Sequence, residues 1–316
     1  MSEAARGVAA MVAACTIWGL SPIYYRLLDH IPPLEVLAHR TIWSLVFFAG
    51  VLALQGRLGA LGRALGSLGA VWVTALAALF ISSNWFLFIY SVQIGRTTQT
   101  SLGYYMFPLV AVLIGRVVFK ERLGHAQWLA VALAAAAVVV LTLGTGTAPW
   151  IALTLAATFG LYGLMKKRQP AGPVVSVTAE VLLLSPIAVA VIWAAHAGTG
   201  GAFGAGGQDT ALLMLSGPIT ATPLILFSYA ARRAALATVG LVQYLNPTLQ
   251  FFCAVAIFGE PFGLWQGVAF PMIWTALAIY SWAALRVSRA SPRPATSAEV
   301  PSAVLTSPRS EGSAKP

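Results

Sequence analysis

Charge is scarce in this chain. Of its 316 residues 9% are Asp, Glu, Lys or Arg and 59% are hydrophobic, whereas a soluble domain carries about a quarter charged residues. Such a composition cannot cover a globule with a water-facing surface, so lipid must cover most of it. Acid is scarcer than base, nine residues against nineteen, for a net charge of +10. That excess would suit nucleic acid only if it were gathered on one face. Here the Lys and Arg residues are dispersed at the ends of apolar segments, which argues against a nucleic-acid partner. The two cysteines, Cys15 and Cys253, both fall inside apolar segments and supply neither a disulfide framework nor a metal spacing. The chain has no glycine loop ending in Lys-Ser/Thr, no HExxH and no GxSxG. ATP hydrolysis, zinc hydrolysis and serine-nucleophile chemistry are therefore not expected. No cofactor, no metal and no catalytic residue are expected, and the chain is read as a non-enzyme.

What is present is a series of ten hydrophobic stretches, each about 20 residues long and able to span a bilayer. They run near 8–25, 34–54, 70–92, 98–118, 126–143, 149–165, 174–195, 211–230, 238–258 and 265–285. The first has a counterpart in the second half and is expected to be a retained span, not a cleaved signal. Residues 198–208, GTGGAFGAGGQ, read as a flexible polar loop. Residues 287–316 are rich in Ser, Pro, Ala and charge and read as a disordered cytoplasmic tail.

The middle of the chain is repeated without gaps 139 residues later. Residues 86–130 and 225–269 share Tyr90/Tyr229, Tyr105/Tyr244, Pro108/Pro247, Glu121/Glu260, Gly124/Gly263 and Gln127/Gln266. Apolar identities could come from biased composition; Tyr, Pro, Glu and Gln are too scarce for that. The earlier parts align at an offset of 141, with Gly19 on Gly160 and Pro32 on Pro173. The expected fold is an all-α membrane protein of ten transmembrane helices, built as a five-helix repeat over 1–145 and a second over 146–286. An odd number of spans per repeat inverts the second copy in the membrane. Charge placement agrees. With the N-terminus in the cytoplasm, eleven basic residues from Arg6 to Arg233 and the five from Arg286 onward fall inside. Arg26 and Arg96 fall outside and Arg40 lies within a span, which accounts for all nineteen. Lys and Arg in retained loops stay cytoplasmic.

Ionisable groups within spans are rare and costly, so they normally face a cavity or a partner. The second span holds His39 and Arg40, roughly 9 Å from its end at 1.5 Å per residue. The seventh holds Glu180, which the repeat pairs with His39. One reading lines a substrate and proton pathway with all three. Glu180 would then carry the proton, His39 would stand in for it, and Arg40 would hold an anionic group. The other reading is a structural network, or snorkelling to an interface. A second polar and aromatic set contains Asn84, Trp85, Tyr90, Tyr104 and Tyr105 in the first repeat and Gln243, Tyr244 and Asn246 in the second. These can bind a ligand or bond helix to helix. Pro108 and Pro247 lie mid-span and would kink their helices, as hinges for alternating access or as static shape. Glu121 and Glu260 read as turn or helix-start residues. Trp72, Trp150 and Trp282 read as interface anchors.

Several strings resemble the RarD-type members of the EamA branch of the drug/metabolite transporter superfamily. They are EVLAHRTIWS (35–44), NWFLFIYSV (84–92), SLGYYMFPLV (101–110), KERLGHAQWLAV (120–131), YGLMKK (162–167) and LVQYLNPTLQF (241–251) with GE at 259–260. The resemblance covers residues 7–285. It implies a bacterial inner-membrane permease with both termini cytoplasmic and, through the family's name, a link to chloramphenicol sensitivity. The function expected is secondary transport of a small organic solute or drug by alternating access, with proton coupling left open. A non-transporting membrane sensor or scaffold is the alternative, and a membrane-embedded enzyme is less well supported. The partners expected are a small-molecule substrate and the lipid bilayer; a homodimer is compatible with the sequence.

Overall fold

A computed structural model of the protein describes residues 2–118, 120, 123–198, 200–234 and 236–290. Among the described residues all regular structure is helical. The helices in chain order are α1 (Glu3–Arg26), α2 (Pro33–Leu54), the short α3 (Gly59–Ala64), α4 (Leu68–Gln93), α5 (Thr97–Val118) and α6 (His125–Thr145). They continue with α7 (Trp150–Lys166), α8 (Pro173–Gly198), α9 (Gly207–Ala231), α10 (Leu236–Val242), α11 (Leu245–Phe252), a π-helical turn (Cys253–Ile257) and α12 (Leu264–Ala290). Seven of them, α1, α2, α4, α5, α6, α8 and α9, are long and apolar enough to cross a bilayer. The chain is thus an all-α, multi-pass membrane protein. Trp72, Trp150 and Trp282 are half exposed or more, as interface anchors would be.

Helix starts follow local chemistry. The hydroxyls of Ser2 and Ser67 accept from the Ala5 and Ala70 amides, each at 3.2 Å, satisfying donors that an N-terminus otherwise strands. Pro33 opens α2, where a missing N–H costs nothing. Helix α6 ends on Gly146 at φ 71°, a left-handed conformation that favours glycine. Helix α12 runs to Ala290, four residues past the expected boundary at 286; the rest of the expected tail, 291–316, lies outside the described residues.

Packing follows the sequence repeat. Helix α1 packs on α9 and α11, and α7 packs correspondingly on α4 and α5. Helix α2 packs on α9 as α8 does on α4, while α2 meets α8, α6 meets α12 and α5 meets α11. Exchanging each helix of the first repeat with its counterpart leaves these principal pairings unchanged. One close approach recurs in detail. A Cβ on Gly19 of α1 would lie 2.6 Å from Leu249 Cβ of α11, and one on Gly160 of α7 would lie 2.7 Å from Ile114 and 3.4 Å from Val110 of α5. Gly19 and Gly160 are equivalent at the 141 offset, and Val110 and Leu249 at the 139 offset. Both contacts need glycine because backbone and side chain meet directly.

The repeat departs from itself in the ninth stretch. Helix α5 is unbroken through Pro108, whereas its counterpart breaks at Gln243–Tyr244 and again at the π-turn. Gly103 explains part of this. It lets α5 press against α7, since a Cβ there would sit 2.8 Å from the Ala152 carbonyl and 2.9 Å from Leu155 Cβ. The equivalent residue is Val242, whose side chain packs against the cluster that contains Met11, Cys15 and Val239, so the same close approach is not available to it. Pro247 therefore falls in the first turn of a new helix, α11, where its missing N–H is tolerated. It does not kink a continuous span.

The glycine-rich segment expected to be a flexible loop is tied down. Glu35 of α2 accepts the Ala202 amide at 2.7 Å. His39 stacks on Phe203 with ring centroids 5.0 Å apart, and Trp43 flanks the same ring at 5.9 Å. Glu35, His39 and Trp43 are spaced four apart and share one helix face. Composition alone reads this segment as mobile; the tethers come from α2.

Candidate functional site

Helix α2 carries two buried polar faces. On one, His39 is buried at Phe203 and its Nε2 has no hydrogen-bond partner. On the other, Arg40 is 6% exposed. Its guanidinium lies over the Trp85 ring of α4 at 4.1 Å and near the Tyr25 ring of α1 at 5.6 Å. Arg40 Nε is buried without a partner, and Arg40 joins none of the ion pairs among the described residues. Trp and Tyr faces attract a cation but do not neutralise it.

Glu180 is differently placed. It is wholly buried on α8. Its Oε1 pairs with Lys166 Nζ at 2.7 Å, and its Oε2 accepts from Tyr162 Oη at 3.1 Å. Lys166 also donates to Ser176 Oγ. The last turn of α7 and the second turn of α8 are thus joined around one carboxylate. Its lysine was read from the sequence as a loop cation.

The structure does not bring Glu180 into contact with His39 and Arg40. A file of aromatic rings runs between the two charged sites instead. Tyr25 meets Phe88 at 5.6 Å, Phe88 meets Tyr104 at 6.1 Å, Tyr104 meets Phe159 at 5.9 Å, and Phe159 meets Tyr162 at 6.0 Å. Asn84 fixes the middle of this file. Its amide donates to the Leu155 carbonyl at 3.0 Å and to Thr158 Oγ1 at 3.1 Å, while its Oδ1 accepts from Tyr104 Oη at 2.9 Å. Trp85 therefore lies against Arg40, and Asn84 and Tyr104 are bonded to each other in the ring file that starts beside it. Tyr90 stacks on Phe86 at 6.2 Å and packs against the same apolar cluster.

The remaining candidates lie elsewhere. Tyr105 Oη bonds Thr248 Oγ1 at 2.7 Å, between α5 and α11. Tyr244 Oη accepts from Ser281 Oγ of α12 at 3.4 Å, and Asn246 Oδ1 accepts from Gln250 Nε2 at 2.9 Å. Gln243 sits at the helix break, half-buried. In this conformation these groups bond between or along helices. Glu260 is a helix-start residue, but for another helix. Its two oxygens accept the Thr97 and Thr98 amides at 2.6 and 2.7 Å, and Thr98 Oγ1 at 2.6 Å, capping α5. Glu121 lies outside the described residues.

Sequence reasoning passed over Tyr25, Ser44, Tyr162, Phe159 and Lys166 as site residues. Ser44 had a signal, four residues after Arg40 and so on the same helix face. Tyr162 and Lys166 also carried one, at the same four-residue spacing on α7.

Known proteins agree with this architecture. Residues 5–143 match the EamA-like transporter family. Protein RarD of Streptomyces exfoliatus is 41% identical over 295 residues, 93% of each chain. The uncharacterized transporter YojE of Bacillus subtilis is 38% identical over 294 residues, covering 92% of this chain and 98% of that one. The chain belongs to the EamA family, as a RarD-type permease. A protein known by its crystal structure shares the fold, with a TM-score of 0.58 at 18% identity over 89% of this chain and 98% of the other. The relatives are named as transporters or RarD proteins, and membrane transport is the activity the family carries.

Proposed function

We propose that this permease is a secondary transporter that moves a small organic solute across the bacterial inner membrane by alternating access. In this reading ten crossings form two inverted five-helix repeats, 1–145 and 146–286, with both termini cytoplasmic. The observation that carries it is the interchangeability of the two repeats' packing partners around one aromatic file, which runs between buried Arg40 and buried Glu180. A bundle with two near-equivalent halves has two near-equivalent packings, and rocking between them would expose opposite ends of the file in turn. Asn84, Trp85 and Tyr104 would line the path. Tyr90, Tyr105, Gln243, Tyr244 and Asn246 would join it where the helices part, with Pro108 and the Pro247 break as flexing points.

Proton coupling, in this reading, rests on Glu180. Protonating it would release Lys166 and loosen α7 from α8; His39 is the fallback carrier. The test is flux in proteoliposomes without ATP, with and without a pH gradient. Solute movement without ATP supports the transporter, and loss of gradient dependence in Glu180→Gln supports the coupling. A protein that moves none of a metabolite and drug library while staying folded overturns the transporter reading. Orientation has its own test: a reporter after Arg168 reads cytoplasmic and one within 200–207 external. The opposite pattern overturns the inversion.

A further inference from the structure

Eight buried side-chain polar atoms lack a hydrogen-bond partner among the described residues, and five of them sit on α1 and α2: Tyr25 Oη, His39 Nε2, Arg40 Nε, Trp43 Nε1 and Ser44 Oγ. Stranded polar groups are rare in folded proteins, and a cluster of them needs an explanation. His39 and Trp43 belong to the face that meets Phe203. The other three point to a different partner. Arg40 and Ser44 are one turn apart on α2 and share a face. The Tyr25 ring from α1 lies 5.6 Å from the Arg40 guanidinium. Tyr25, Arg40 and Ser44 are 1%, 6% and 0% exposed. All three can donate, the Ser44 hydroxyl and Arg40 Nε have no partner, the Tyr25 hydroxyl has only the Thr220 side chain near it and no bond within hydrogen-bonding distance, and Arg40 carries the positive charge.

We infer that Tyr25, Arg40 and Ser44 form a binding site for the carboxylate of an aromatic or otherwise apolar organic acid, the class of solute carried if the transport reading holds. A planar carboxylate accepts from a guanidinium in a two-point fork, and hydroxyls satisfy its remaining lone pairs. One cation and two neutral donors match one negative charge. A dianion would leave net charge in a dry interior, which is costly. The neighbouring side chains suit an apolar body, since Trp85 lies under the guanidinium and Phe88 and Tyr104 continue the ring file. The three donors are sequestered in this conformation, so the helices must part before the acid enters, as alternating access requires.

The phosphodiester of an anionic lipid is also a singly charged oxyanion, and the experiment separates the two sources. Full-length protein in neutral detergent is heated with benzoate, phenylacetate or indole-3-acetate, with the matching amides, or with phosphatidylglycerol, and the folded fraction is read by size-exclusion chromatography. The acids should raise the midpoint saturably by mass action, and the uncharged amides should not. Arg40→Gln should remove the response, and Arg40→Lys, which loses the fork, should weaken affinity at least tenfold. Ser44→Ala and Tyr25→Phe should each weaken it roughly 3- to 10-fold. A second measurement needs no ligand: Arg40→Met keeps the stem and deletes an unpaired buried charge, so the empty protein should unfold at the same temperature or higher. A fall as large as that in Lys166→Met would make Arg40 a structural pin and overturn the site. So would amides that match the acids, or a response to phosphatidylglycerol alone. Acid binding lost in Arg40→Gln, in a protein that carries no flux, would keep this site and overturn transport. Flux of neutral solutes untouched by Arg40→Gln, with no response to the acids, would do the reverse.

Discussion

Helices α2 and α8 occupy equivalent places in the two repeats, and each buries charge about two turns from its start. They treat it in opposite ways. On α8, Glu180 has a lysine at 2.7 Å and a tyrosine hydroxyl at 3.1 Å. On α2, Arg40 has two aromatic rings and, among the described residues, no carboxylate partner. A buried ion with its counter-ion holds neighbouring helices in register. A buried ion without one leaves electrostatic energy unspent, and that energy is available to a ligand. The difference separates a charge that stabilises the empty bundle from one that does not.

Breaking the stabilising side should have the largest effect. Lys166→Met leaves Glu180 buried and uncompensated, and removing one partner of such a pair costs about 3–5 kcal/mol. Thermal unfolding in detergent should show a large drop. The double variant Lys166→Met/Glu180→Gln should recover much of it, because the stranded charge is gone. If Lys166→Met melts like the parent, the pair contributes nothing and the contrast with Arg40 fails.

The next effect sharpens the contrast between α5 and its broken counterpart. Gly103→Val places a Cβ against the Ala152 carbonyl, where 2.8 Å is too close. Overpacking of this kind costs about 1–3 kcal/mol. The midpoint should fall, and the α5–α7 contact should loosen. A variant as stable as the parent would mean that Gly103 is not what keeps α5 whole.

The spans were legible because hydrophobic run length is written in the sequence itself: nine of the ten expected stretches each overlie one helix, seven of those helices are long and apolar enough to cross a bilayer, and the ninth stretch, 238–258, is broken instead. What was not legible depends on neighbours. Lys166 ends a helix, and a cation there reads the same whether it faces water or a buried acid. The segment around Phe203 reads as mobile from its glycines, while its tethers are Glu35 and His39, more than 160 residues away. The break at Gln243–Tyr244 is not announced by the proline, since both copies share it and α5 stays whole; the two copies differ at the preceding position, Gly103 against Val242. Tyr25 and Ser44 look like ordinary span residues until the Tyr25 ring is found near Arg40, with Ser44 one turn along the same helix, and both hydroxyls are found buried without a bond.

A smaller effect is expected at Glu260. Its carboxylate takes two amides and a hydroxyl at the start of α5. Glu260→Gln keeps the shape and removes the charge-assisted part, so stability should fall by about 0.5–2 kcal/mol, the range for a lost cap. The check is unfolding of Glu260→Gln beside Glu260→Ala. Equal, negligible losses would mean the cap is incidental.

The smallest effect belongs to the prolines, and it separates the two copies again. Pro247 lies in the first turn of α11, where an N–H would find no helical acceptor, so Pro247→Ala should change stability by less than about 1 kcal/mol. Pro108 lies inside a continuous helix. Pro108→Ala restores a donor toward the Tyr104 carbonyl, in the turn whose side chain bonds Asn84, and should stiffen α5 and raise the midpoint. If Pro108 makes α5 a hinge, that variant should lose flux while its ligand response is kept, and Pro247→Ala should lose neither. Flux unchanged in Pro108→Ala would leave the proline as a shape residue and move the flexing point to the break that the second copy already contains.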